Sequence, residues 1–167
     1  GLSERILGDL IRRYPDKRLY AATKIPPKNR TWPSRSEFTL DEVFPADYIR
    51  EYTEISPKNL GTDSIDLMQF HVWEDHWADR DEWKEMVQKL TQEGKVQRWG
   101  ISVNRWEPAN VIKALRTGLV DAVQVVYNIF DQNPEDALFP VCRELDVAVI
   151  ARVPFDEGSL TGTLSTD

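Results

Sequence analysis

The sequence predicts an α/β fold made of about five β/α units in strict alternation. Three observations predict it. Short apolar runs rich in β-branched residues, such as Ser64 to Phe70 and Ala122 to Tyr127, have the composition of strands buried on both faces. Between them lie segments with apolar residues at helical spacing, and buried strands separated by helices mark parallel β/α units. Finally, no G-x-G-x-x-G turn or P-loop occurs in the chain. An open nucleotide-binding sheet normally carries such a turn after its first strand, so its absence favours a (β/α)8 TIM barrel. Such a barrel has eight strands, commonly in roughly 250 residues, and this sequence supplies about five of them.

Each element has its own justification. Ser3 is a suitable N-cap for a helix carrying Ile6, Leu7, Leu10 and Ile11, which should stop near Tyr14-Pro15. Leu19 to Thr23 reads as the first strand, ending at Lys24. The stretch from Ile25 to Phe44 holds Pro26, Pro27 and Pro33 around one large aromatic, Trp32. A loop of that length in a compact domain is usually functional or disordered. Pro45 to Asn59 is a helix with Tyr48, Ile49, Tyr52 and Ile55 as its apolar stripe. The second strand, Ser64 to Phe70, ends on His71 and is followed by a tryptophan-rich loop with Trp73, His76 and Trp77. A helix over Arg80 to Gln92 ends at the turn Glu93-Gly94-Lys95. Val96 to Ser102 is the third strand, then a helix over Glu107 to Leu115 closed by Gly118. Ala122 to Tyr127 is the fourth strand, with Gln124 among valines and Asn128 at its tip. A helix runs from Asn133 to Glu144, with Pro134 in its first turn. Val147 to Ala151 is the fifth strand, followed by Arg152 and a glycine-containing loop, Asp156 to Gly162.

The bulk numbers bound the function. The 167 residues, 41% hydrophobic, suit one domain over residues 1–167. A net charge of −7 argues against a nucleic-acid or anionic-membrane partner. The basic cluster at Arg12-Arg13 is accounted for by the dipole at a helix C-terminus. The single cysteine, Cys142, excludes an intrachain disulfide and argues against a structural zinc site, so no metal is expected. It suits a reducing, cytoplasmic setting. No apolar run reaches membrane-spanning length and no signal peptide is visible. The sequence opens Gly1-Leu2-Ser3 without a methionine, as expected of a processed or partly observed chain.

In parallel β/α folds the carboxyl ends of the strands carry the chemistry. His71 alone is commonly a rim histidine with a satisfied hydrogen bond. Lys24 at the equivalent end of the preceding strand turns the pair into a candidate site. A lysine at an inner strand end is costly to bury unpaired. Gln124 follows the same logic, since a buried amide needs partners; those partners are either a ligand or neighbouring barrel side chains. Trp32 either covers a pocket or pins its loop, and Trp73 either walls the pocket or caps the rim. His76 reads as a solvated loop residue.

Several segments together resemble the aldo-keto reductase family. Leu60-Gly61-Thr62-Asp63-Ser64-Ile65-Asp66-Leu67-Met68-Gln69-Phe70-His71 resembles that family's approach to its catalytic histidine. Ala22-Thr23-Lys24 is similar to the strand ending in its catalytic lysine. Glu93-Gly94-Lys95-Val96 with Gly100-Ile101-Ser102, then Gln124-Val125-Val126-Tyr127-Asn128, resemble the strands that meet the nicotinamide amide, and Leu160-Thr161-Gly162 the loop on the phosphate side. The resemblance covers nearly the whole chain and places it at strands three to seven of such a barrel.

What the resemblance implies is NAD(P)H-dependent reduction of an aldehyde or ketone by hydride transfer. Lys24 and His71 take catalytic roles: the lysine lowers the pKa of a proton-donating tyrosine, and the histidine orients the carbonyl. Ser102, Asn104, Gln124, Arg152, Phe155, Gly158 and Leu160 meet the cofactor, expected to be NADP (NADPH) with NAD not excluded. Trp32 and Trp73 line the substrate pocket. The family's tyrosine and aspartate would precede Ser3 and its eighth strand would follow Asp167. These residues alone are therefore expected to lack a proton donor and to leave edges that invite a partner, a homo-oligomer included. Asn104 stands one place later than the family's usual asparagine because Val103 intervenes. Arg152 replaces a tyrosine that stacks on the nicotinamide, and this is expected to alter cofactor affinity or the hydride-transfer equilibrium. Two other readings stay open. One is a non-catalytic reductase-fold regulatory or channel-associated subunit that binds cofactor without turnover. The other is a Schiff-base lyase using Lys24 as nucleophile.

Overall fold

A computed structural model describes residues 1–163. It contains a 5-stranded parallel sheet of β1 (Ala22–Ile25), β2 (Ile65–Phe70), β3 (Val96–Ser102), β4 (Ala122–Val126) and β5 (Ala148–Arg152). The helices are α1 (Leu2–Arg13), α2 (Leu40–Val43), α3 (Ala46–Leu60), α4 (Asp81–Gln92), α5 (Ile112–Leu115) and α6 (Leu138–Glu144). The strand order is β1-β2-β3-β4-β5, every pair parallel. A doubly wound sheet reverses its strand order partway. This one never does. Right-handed crossovers then put every helix on the same face, which is the winding of a barrel.

Strand residues alternate between the two faces. Thr23, Met68, Phe70, Trp99 and Ile101 point toward the helices. Thr23 donates to Glu4 of α1 at 2.7 Å, and Phe70 packs edge-on against Trp83 of α4 at 6.2 Å. The core on that side is aromatic. Phe70 stacks on Trp99 at 5.8 Å and packs against Trp73 and Phe44, and Trp73 packs in turn against Trp77 and Trp83. The buried indoles keep hydrogen bonds: Trp83 donates to the Trp77 carbonyl at 3.0 Å and Trp77 to the Phe38 carbonyl at 2.9 Å. The other face carries Lys24, Gln69, Gly100, Ser102, Gln124 and Arg152, as the register pairs Lys24 with Gln69, Gln69 with Gly100 and Ser102 with Gln124 show.

Several boundaries differ from those predicted. The first helix starts at Leu2 behind Gly1, so Ser3 lies inside it. β1 begins at Ala22 rather than Leu19 and contains Lys24, because the Ala21 N–H is taken by the Asp66 carboxylate at 2.9 Å. The long loop holds α2, capped by Thr39 and Glu42 in a reciprocal box. The helix expected from Glu107 is confined to Ile112–Leu115. Here Asp75, from the 3₁₀ turn Asp75–Asp79, accepts from the backbone of Lys113 at 2.8 Å and Ala114 at 3.1 Å and caps the helix from across the fold. The helix expected over Asn133 to Glu144 divides into a 3₁₀ turn, Asn133–Glu135, and α6. No helix among the described residues is long and apolar enough to cross a membrane.

Candidate active site

The site is built on the face of the sheet turned away from the helices, at the carboxyl ends of the strands. A cavity of about 310 Å³ opens there. Of the predicted site residues, Trp32, His71, Trp73, Ser102, Asn104 and Arg152 line it, with Ser34, Arg105, Trp106, Val126 and Glu157. His71 is held by its backbone, whose N–H donates to the Ile25 carbonyl at 3.1 Å and continues the β1–β2 ladder. Its ring meets the edge of Trp32 at 5.6 Å. The loop after β1 therefore folds back over the histidine.

Lys24 does not line the cavity. It lies on the same sheet face, in register with Gln69 two residues before His71. Burial, and then the charge of Arg152, hold its pKa below the ordinary lysine value. Burial, then Lys24, then Arg152, hold the His71 imidazole below its ordinary value. Arg152 of β5 thus acts on Lys24 of β1, and both act on His71 at the tip of β2, across the concave face. The neutral imidazole is favoured, and a neutral imidazole donates a hydrogen bond without demanding a counter-charge.

Gln124 pairs in register with Ser102, and its Oε1 is buried with no partner among the described residues. Such an orphan acceptor beside a buried hydroxyl fits a carboxamide, the polar handle of a nicotinamide. Asn104 lines the cavity, but its side-chain oxygen is occupied by the Trp106 N–H at 3.2 Å in a local turn. Trp73 contributes to both alternatives raised by its sequence position: it is 2% exposed in the aromatic core and also borders the cavity. Phe155, Gly158 and Leu160 fall in or beside the 3₁₀ segment Asp156–Thr161, outside the cavity lining, to which that segment contributes Glu157. His76 is exposed, with Nε2 3.3 Å from the Phe38 carbonyl.

Gln69, Ser34, Arg105 and Asp131 are among the residues at or beside the site that the sequence did not single out. Gln69, 2% exposed, fills the space left by the missing side chain of Gly100. Ser34 holds a buried hydroxyl with no partner among the described residues. Arg105 and Asp131 form an ion pair at 2.6 Å. A polar residue inside an apolar run was the available signal for Gln69, as it was for Gln124; the other three sit in loops and gave none. Among the described residues no cluster of three metal-ligating side chains occurs.

Fold and site together define a barrel protein of parallel β/α units with its polar groups at the carboxyl edge. Residues 1–167 match the model of the aldo/keto reductase family, and the chain belongs to that family of oxidoreductases. It is 27% identical over its whole length to the NADH-specific methylglyoxal reductase of Escherichia coli, covering 52% of that protein. The glycerol dehydrogenase structure from Gluconobacter oxydans aligns over 99% of the chain and 49% of its own length, with a TM-score of 0.78 and 27% identity. An aldo/keto reductase from Klebsiella pneumoniae, solved in complex with NADP and acetate, aligns over 96% of the chain and 52% of its own, with a TM-score of 0.70 and 25% identity. The chain spans about half the length of these relatives.

Proposed function

We propose that the protein is part of a nicotinamide-dependent carbonyl oxidoreductase that interconverts an aldehyde or ketone and an alcohol. The observation that carries this reading is the convergence of Lys24, His71, Ser102, Gln124 and Arg152 on one face of the sheet, with His71 in the cavity. Ser102 and Gln124 would hold the carboxamide of the cofactor. Arg152 would lie beside its ring. When bound, the cofactor supplies the hydride. His71 donates a hydrogen bond to the carbonyl oxygen and fixes its orientation as charge develops there. Lys24 keeps a positive charge close by, which lowers the pKa of a tyrosine proton donor lying outside this sequence. The partner is a small carbonyl compound, with no nucleic acid or membrane involved. NADPH is the cofactor to test first and NADH second, since the relatives above include one of each kind.

The test is a titration of the purified protein with NADPH and with NADH, followed by tryptophan fluorescence. A panel of aldehydes and ketones is then screened by nicotinamide absorbance. Saturable binding with turnover supports the reading. Because the proton donor lies outside these residues, turnover is judged on the protein carrying that tyrosine: binding there without turnover favours the regulatory alternative, and failure to bind either cofactor overturns both.

A further inference from the structure

Beyond the strand ends, a side chain links the end of β4 to the turn after β5. The Tyr127 N–H donates to the Arg152 carbonyl at 3.1 Å, as a backbone rung does. The backbone N–H of the following residue, Asn128, bonds the Asp131 carbonyl at 3.3 Å inside its own tight loop. A further link toward β5 is made by the Asn128 side chain, whose Nδ2 donates to the Val153 carbonyl at 3.1 Å. Its Oδ1 accepts from the N–H groups of Phe130 at 2.9 Å and Asp131 at 3.1 Å. Asn128 is 7% exposed, so these bonds are shielded from water.

Each end of this bracket holds something costly. Val153 has φ +58°, a left-handed conformation that a β-branched residue resists. Asp156, Glu157 and Gly158 follow it with φ of 45°, 56° and 104°. The turn after Arg152 is therefore strained and needs outside support. At the other end the buried Asp131 carboxylate accepts from Arg105 Nε at 2.6 Å, and Arg105 borders the cavity. One amide thus ties the loops after β3, β4 and β5 together.

We propose that Asn128 is a positioning residue: it holds the Val153 turn, and with it Arg152 and Glu157, in register with the ends of β3 and β4 so that the cofactor-side wall is pre-formed. This inference rests on the reading of the site as one for a nicotinamide dinucleotide.

The test uses Asn128→Asp, which keeps an acceptor for the Phe130 and Asp131 N–H groups but loses the donor to Val153, and Asn128→Ala, which loses both. Reduced nicotinamide dinucleotide is titrated into each protein by fluorescence, and thermal midpoints are recorded alongside. Asn128→Asp is expected to weaken binding by roughly tenfold, the equivalent of one shielded hydrogen bond. Where turnover is measured, KM for the cofactor rises while kcat at saturation changes by less than about threefold, the pattern of lost binding rather than lost chemistry. If Asn128→Asp lowers the midpoint but binds cofactor as the wild type does, Asn128 is structural only and the inference fails. If the wild-type protein itself does not bind, the failure belongs to the functional reading. Should Asn128→Ala not fold, the Asn128→Asp comparison decides alone.

Discussion

Substituting alanine at Gly100 sets two opposed effects against each other. Gly100 is in the interior of β3 and is not left-handed, so the backbone accepts alanine. The reduced entropy of the unfolded chain alone would then stabilise the protein by about 0.5–1 kcal/mol. The added Cβ would stand 2.9 Å from Gln69 Cγ, 3.1 Å from the Ala122 carbonyl oxygen and 3.3 Å from Leu67 Cδ1. The second of these is backbone of the next strand and cannot rotate away. Overpacking of this kind costs about 1–3 kcal/mol. Sterics win, leaving a net loss of about 0.5–2 kcal/mol. At roughly 2–4 °C per kcal/mol for a chain of this size, the melting midpoint falls by about 1–8 °C. The assay is thermal unfolding followed by circular dichroism, with Gln69→Ala and the double variant completing a cycle. Truncating Gln69 removes the closest contact, so the double variant should be more stable than the sum of the singles by about 0.5 kcal/mol or more. A midpoint equal to or above that of the wild type, or strict additivity, would refute the packing argument.

Three further outcomes follow. The chain has two histidines, which makes an NMR titration simple to assign. His71 should titrate below about 6.5, because burial and then Lys24 and Arg152 disfavour its cation. The unfolded chain binds more protons between that lowered value and the ordinary one, so stability drops as pH falls through this window. Arg152→Gln should move the His71 midpoint upward; no movement would remove the coupling. Glu4 is pushed up by burial but held lower overall by the hydrogen bonds that Thr23 and Asn59 donate to its carboxylate, each at 2.7 Å. Its contribution is therefore present above the ordinary carboxylate range and lost as pH falls through the lowered value. Glu4→Gln should cost roughly 1–3 kcal/mol in urea unfolding at neutral pH and much less in acid, and an equal loss at both would contradict this. The Cys142 thiol, 2% exposed and pushed up by burial, should react with a disulfide reagent only on unfolding. Rapid labelling of the folded protein would show that α6 opens.

The alternation of elements was legible because buried parallel strands leave continuous apolar runs, and β2 with His71 at its tip is the plainest of these. Boundaries were less so where side chains replace ladder bonds. Leu19 to Ala21 has strand composition, yet the Asp66 carboxylate rather than a strand neighbour satisfies Ala21. The helix before Gly118 is short because its first turn is capped by Asp75, thirty-odd residues earlier in the chain. A signal for α2 was present in the Thr39-x-x-Glu42 box but lay inside a proline-rich stretch. Lys24, His71, Ser102, Gln124 and Arg152 were recognisable one by one. Beyond burial, the depression of Lys24 by Arg152, and of His71 by Lys24 and Arg152, was not, because it depends on the spacing of β1, β2 and β5 across the concave face.

The unbroken strand order bears on how the chain acquires its structure. Among the described residues each strand pairs with its successor, so these five units assemble through contacts that are near in sequence. Assembly can proceed in the direction of synthesis, one β/α unit docking on the last. The cavity obeys a different clock. Trp32 belongs to the loop after β1 and Arg152 to β5, so the wall around His71 closes only when the β5 unit docks. Secondary structure and aromatic core form ahead of the functional pocket. A chain arrested before β5 would have a packed core and an incomplete site.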